Sequence, residues 1–94
     1  MYLIFDTETT GLPQNYSAPL TDFDNWPRCV QLAWQVHDEK GRLVSSGDYI
    51  IRPDGFTIPF NSEKVHGIST ERAKREGIPL TEAMEFFNRD LQKS

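Results

Sequence analysis

Basic residues are in the minority in this chain. Ten Lys and Arg against fourteen Asp and Glu give a formal net charge of -4 over 94 residues. Tight sequence-specific binding of duplex nucleic acid is therefore disfavoured, because such binders present a basic face to the phosphates. Cysteine is almost absent. The single Cys29 excludes an internal disulfide and makes a cytoplasmic location the default expectation. No apolar run approaches the roughly 18 residues needed to span a membrane, and the apolar start Met1 to Ile4 is too short for a signal peptide. Internal repeats and low-complexity segments are missing as well. What is left, 37% hydrophobic and 26% charged residues, is the composition of a soluble globular chain. A chain this short buries a smaller share of its surface than a typical domain of about 100 to 150 residues, so its core is marginal if cut.

The most informative segment is Phe5-Asp6-Thr7-Glu8-Thr9-Thr10-Gly11, which follows the apolar run Met1-Tyr2-Leu3-Ile4. It places two carboxylates where a strand ends. Asp6 and Glu8 are two apart on an extended segment and so project from the same face, roughly 7 Å apart along the strand. Nothing basic lies nearby in sequence to neutralise them. Two like charges at the rim of a core are costly unless something positive sits between them. A hard cation that prefers oxygen ligands, Mg2+ or Mn2+, answers that need.

The first strand is expected over Tyr2 to Thr7. The stretch from Gly11 to Arg28 contains Pro13, Pro19 and Pro27 among Asn, Ser and Asp residues and reads as a loop, longer than the roughly 12 to 15 residues at which a connection becomes unusual. Asp22 and Asp24 are turn formers in that loop, and Trp26 reads as its anchor to the core. Cys29 to His37 alternates, with Val30, Leu32, Trp34 and Val36 on one face, and predicts a strand with one apolar side. Asp38 to Arg42 supplies turn chemistry, with His37 a solvated residue at its start, and Leu43 to Ile51 returns as the second arm of a hairpin. Ser62 to His66 is a short helix capped by Ser62 and ended by Gly67; Thr70 to Glu76 is another, ended by Gly77 and Pro79. Thr81 caps the longest helix, with Ala83, Met84, Phe87 and Leu91 as its apolar stripe and Glu85 and Arg89 as an exposed pair. Phe86 and Phe87 are packing residues. Periodicity alone supports an α/β or α+β domain.

Phe-Asp-Thr-Glu-Thr-Thr-Gly resembles the first motif of the DEDD superfamily of 3′-to-5′ exonucleases, in its DEDDh branch. The group typified by the proofreading epsilon subunit of bacterial DNA polymerase III is the most similar. Val65-His66-Gly67-Ile68 is similar to the His-Gly-Ile segment that this group carries downstream. The resemblance implies the first half of a ribonuclease-H-like fold, in which three antiparallel strands are followed by helices and then by strands parallel to the first. It also implies two-metal phosphodiester hydrolysis with Mg2+ or Mn2+, the ions about 4 Å apart. Asp6 and Glu8 would be the catalytic metal ligands. Thr9, Thr10, Gly11 and Leu12 would receive the terminal nucleotide, with Val65 and His66 packing near its base or sugar.

The family's second motif, Asn-x-x-Phe-Asp, and its third, His-x-x-x-x-Asp, are both missing. The nearest spellings are Phe87-Asn88-Arg89-Asp90 and His66 through Glu71. Residues 1–94 therefore read as a single partial exonuclease domain, catalytically incomplete, with the general-base histidine in the missing third motif and not at His66. The net charge does not exclude a nuclease, since metal ions would neutralise part of the site and an exonuclease grips only the last few nucleotides. The expected partner is a single-stranded DNA 3′ end, with a DNA polymerase subunit and a second copy of the chain as protein partners. Two other readings stand beside this one: a 3′-to-5′ exoribonuclease or oligoribonuclease of the same superfamily, and a non-catalytic remnant that binds nucleic acid or a partner. Self-association is expected through Tyr2-Leu3-Ile4-Phe5, the open edge of the first strand.

Overall fold

The alternating apolar face from Cys29 to His37 organises the molecule. The computed structural model describes residues 1–22 and 26–93, so Asp24 lies outside the described residues. Strands β1 (Tyr2–Thr9), β2 (Cys29–His37) and β3 (Leu43–Ile50) precede helices α1 (Phe60–His66), α2 (Thr70–Glu76) and α3 (Leu80–Leu91). The sheet runs β1-β2-β3 with both pairings antiparallel, so β2 is central. Val30, Leu32, Trp34 and Val36 are all buried on one face of β2.

Two clusters share that face. Val30 packs with Ile58, Ile68 and Ala73 beneath α2, while Leu32, Trp34 and Val36 pack with Leu3, Tyr49, Phe86 and Phe87 beneath α3. The Trp34 ring meets Phe87 edge-on at 5.3 Å and Tyr49 at 5.7 Å, and Phe87 also meets Phe5 of β1 at 5.8 Å. The β2–β3 turn is closed by Asp38, whose carboxylate accepts from the Lys40 and Arg42 amides and from the Arg42 guanidinium, all within 2.9 Å. The Arg42 amide is the main reason that this carboxyl is held below its ordinary range.

Local reading misses where some elements begin and end. β1 extends past Thr7 to Thr9 because Glu8 and Thr9 find partners in Gln31 and Cys29 across a bulge. β3 ends at Ile50; Ile51 instead bridges to Ile78, whose own amide donates to the Ile50 carbonyl. α1 starts at Phe60 behind Pro59, and α3 at Leu80 behind Pro79, so neither Ser62 nor Thr81 is a cap. Proline sits well at a helix start, where its fixed φ is helical or nearly so and no amide is lost. A side-chain cap forms at Ser69, which accepts from the Arg72 amide at 3.0 Å.

In α3 the buried face is Ala83, Phe86, Phe87 and Asp90, whereas Met84 and Leu91 of the expected stripe stay nearly half exposed. Arg89 lies over the Phe86 ring, 5.6 Å from its centroid, and is not paired with Glu85. His37 contacts the Gly41 carbonyl and the Gln35 side chain, as a turn residue should. Trp26 is half-buried and braces its own loop, its indole donating to the Pro19 carbonyl at 2.8 Å.

Gly67 ends α1 with φ 75° and its amide on the Glu63 carbonyl at 2.7 Å. A Cβ there is strained in the left-handed region, so Gly67→Ala is expected to cost about 1–2 kcal/mol, read as a lower denaturation midpoint with the slope unchanged.

Candidate functional site

The register of β1 settles which way its carboxylates face. Asp6 stands opposite Ala33 and Glu8 opposite Gln31, so both project from the sheet face that α3 leaves uncovered. Asp6 is exposed, and its Oδ1 accepts from the Thr7 amide at 2.9 Å; Glu8 is half-buried. Between Glu8 and Thr9 the pairing skips Val30 of β2. Such a bulge bends the ladder and re-aims the side chains beside it. Here it turns the chain into Thr9 to Leu12 at the sheet's end.

That segment is fastened from two directions. Thr10 donates its amide to the Arg28 carbonyl at 3.0 Å, and its Oγ1 accepts from the Arg28 amide at 2.9 Å. The Thr10 carbonyl accepts from Ser62 Oγ at 2.6 Å. Thr9 Oγ1 donates to the Gly11 carbonyl at 3.1 Å and lies 3.3 Å from the Gly11 amide, closing a tight local loop. With its amide, carbonyl and hydroxyl all engaged inside the protein, Thr10 serves here as an anchor.

A cleft of about 320 Å³ opens against this segment, lined by Thr7, Glu8, Thr9, Gly11, Leu12, Ser62, Val65 and His66. Six of the eight residues singled out from the sequence thus reach one cavity. Thr10 lies behind it, and Asp6 lines a different and more open groove of about 550 Å³, together with Ile4, Ala33, Gln35, Ser46 and Asp48. Leu12 and Val65 are each 82% exposed, as apolar walls of an open cleft are. His66 Nδ1 accepts from the Ile68 amide at 3.1 Å, which leaves the ring proton on Nε2 in the neutral form. That Nε2 is buried and has no hydrogen-bond partner among the described residues.

Two polar residues beside the site escaped the sequence reading. Asp48 stands across Ala33 from Asp6, held by Gln31 Nε2 at 2.7 Å. Counting back from the hairpin turn would have placed it in line. Ser62 was read as a helix cap, and its bond to a residue 52 positions away has no local signal. Cys29, at the start of β2, is half-buried; burial raises its pKa more than the contact of its sulfur with the Gln31 carbonyl lowers it.

Asp6 and Glu8 are hard oxygen donors of the kind that Mg2+ and Mn2+ take. Their number falls short. Among the described residues no group of three or more His, Cys, Asp and Glu side chains is placed to hold a metal ion. The donor set has the right chemistry for the divalent ions but is not sufficient for a pair of them in this chain.

The three antiparallel strands followed by helices have the same fold as a part of several solved exonuclease structures. The solved structures that carry it include E. coli Exonuclease I in complex with a dT13 oligonucleotide, at 19% identity and a TM-score of 0.60. An ExoI/SSB-Ct complex matches at 19% and 0.61, and E. coli Exonuclease I with a 5cy-dA13 oligonucleotide at 20% and 0.61. Each alignment covers 82% of this chain and 15% of the other, so the chain spans about a seventh of the length of these structures. No family model and no curated protein matches the chain. Among the described residues no helix is long and apolar enough to cross a membrane.

Proposed function

We propose that this chain is the amino-terminal part of a metal-dependent 3′-to-5′ exonuclease that trims single-stranded DNA ends by phosphodiester hydrolysis. The observation that carries this reading is the convergence of Glu8, Thr9, Gly11, Leu12, Val65 and His66 on one cleft. These residues come from two segments more than fifty positions apart, and their shared cleft supports the reading. Asp6 and Glu8 supply two acidic ligands for Mg2+ or Mn2+, and further carboxylates complete the set. When bound, the ions would activate water and stabilise charge on the scissile phosphate. This chain's own residues receive the 3′-terminal nucleotide: Leu12 and Val65 offer apolar surface to the base or sugar, and Thr9 and Gly11 shape the floor.

DNA is favoured over RNA as substrate because the solved neighbours include complexes with DNA oligonucleotides. The finer assignment, to a proofreading exonuclease of the epsilon type that works beside a polymerase, is supported by the spelling of residues 5–11 and 65–68. Among the described residues β1 pairs along one side only, and Tyr2, Ile4 and Phe5 are about 60% exposed, which supports self-association of the isolated chain. Size-exclusion chromatography giving a stable monomer would count against that part.

Release of nucleotides from a 3′-labelled single-stranded DNA oligonucleotide with Mn2+ tests the reading. The 94-residue chain alone is expected to release little, for want of ligands. A version extended to include further acidic ligands should be active, and Asp6→Ala should reduce its rate by more than about 100-fold, since even outer-shell changes at metal sites cost 10- to 100-fold. An extended version that degrades neither DNA nor RNA, with metal binding unchanged by Asp6→Ala, would sink the assignment.

A further inference from the structure

Helix α1 forms one wall of the cleft, yet little in its own sequence holds it in place. It is seven residues long, has no buried residue, and its cap position is Pro59, which offers no side-chain hydrogen bond. A helix of that length is not stable by itself in water. Its tie to the opposite wall is Ser62, whose Oγ donates to the Thr10 carbonyl at 2.6 Å, the short end of the range for O–H···O bonds. Thr10 is in turn fixed to β2 through the amide and carbonyl of Arg28. Val65 and His66 follow Ser62 by three and four positions, so all three side chains lie on one face of α1, and all three line the cleft.

We propose that Ser62 is the positioning residue of this site: its hydroxyl latches α1 to the Thr9–Leu12 segment and so sets the gap in which a 3′-terminal nucleotide is held. The proposal rests on the reading of the cleft given above and adds the device that fixes its width. Without the hydroxyl, the Thr10 carbonyl turns to water and α1 is held through the core residues that flank it, Ile58 and Ile68, so the Val65–His66 wall can shift away from Leu12. Affinity then falls because the ligand must order a wall that was previously preset.

The test compares the wild-type chain, Ser62→Ala, Ser62→Thr and Ser69→Ala. Binding of a short oligothymidylate with a free 3′ hydroxyl is measured by fluorescence anisotropy in Mg2+, with amide hydrogen exchange of each free protein. Ser69→Ala removes another hydroxyl-to-backbone bond, at the α2 cap, and controls for loss of stability alone. Ser62→Ala is expected to weaken binding about tenfold, as loss of one net hydrogen bond would, and to speed exchange across α1 while α2 is unchanged. Ser62→Thr keeps the hydroxyl and should bind within about twofold of wild type. Equal affinities for wild type and Ser62→Ala, or equal losses in Ser62→Ala and Ser69→Ala, would overturn the latch and leave the nuclease reading intact. A wild-type chain that binds no oligothymidylate overturns the reading of the cleft and with it the role in nucleotide positioning. The exchange data then show independently whether Ser62 tethers α1.

Discussion

Gly47→Ala is expected to destabilise the chain by about 1–3 kcal/mol, the usual cost of overpacking a filled site. Gly47 sits opposite Trp34 in the β2–β3 ladder, and the indole lies across it. A Cβ at this position would overlap Trp34 Cζ2 and stand 2.5 Å from Cη2 and 2.7 Å from Cε2. Relief requires the ring to move, and the ring is held on three sides. Its Nε1 donates to Asp90 at 2.8 Å, Tyr49 lies against it, and Phe87 meets it edge-on. The partner variant Trp34→Leu removes the obstruction and costs several kcal/mol of its own through lost burial. In the double variant the clash has no second party, so its loss should fall short of the sum of the two single losses by about 0.5–3 kcal/mol. Urea denaturation of the four proteins measures the cycle, and strict additivity would mean that the indole does not confine position 47.

Asp90→Ala should cost about 1–3 kcal/mol at neutral pH, because it leaves a buried indole N–H without an acceptor. Asp90 is 8% exposed and, besides the Trp34 donor, has Lys93 Nζ at 3.2 Å. The Trp34 hydrogen bond is the main cause that holds its carboxyl below the ordinary range, with burial acting in the opposite sense. A carboxyl whose pKa is depressed by folding adds stability above its unfolded value of about 3.9, and that stability is lost as pH falls through the folded value. The gap between wild type and Asp90→Ala should therefore be full at pH 7 and shrink below about pH 4. Asp38 is shifted in the same direction, so both proteins lose its share alike and the difference isolates Asp90. A gap that stays constant from pH 7 to pH 3 would show that the carboxylate's charge is not what Trp34 uses.

Asp90 also shows where sequence reading reached its limit. It stands in Phe87-Asn88-Arg89-Asp90, the spelling nearest to the absent second motif, and its carboxylate is committed to the core through Trp34. Nothing in the four-residue string reveals that use, because the partner is 56 positions away. The elements themselves were legible wherever a period is written into the chain. Val30, Leu32, Trp34 and Val36 predicted one buried face, and the glycines at 67 and 77 marked helix ends correctly. Helix starts were less legible, since Ser62 and Thr81 have the chemistry of caps but lie within the first turns that follow Pro59 and Pro79. On α3, two apolar stripes overlap, and only the contact with β2 and β3 decides that Phe86 goes inward while Met84 and Leu91 remain outside. The candidate site divides in the same way. The motifs named most of the cleft, but its latch and the separation of Asp6 from it depend on the bulge and on a bond between distant segments.

The single-sided pairing of β1 carries a thermodynamic consequence. Both core clusters centre on β2, and β1 contributes only the half-buried Leu3 to them, with Phe5 touching Phe87 from the rim. Releasing β1 would sacrifice one ladder and little apolar burial, far less than melting β2 with its helices, so the strand bearing Asp6 and Glu8 belongs to the weaker end of the stability spectrum. A ligand held between Glu8 and the α1 residues across the cleft binds only when β1 is docked. It would then stabilise the docked state by mass action, about 2.7 kcal/mol at a hundred times its Kd. Occupancy of the site and the integrity of the sheet would become a single linked equilibrium.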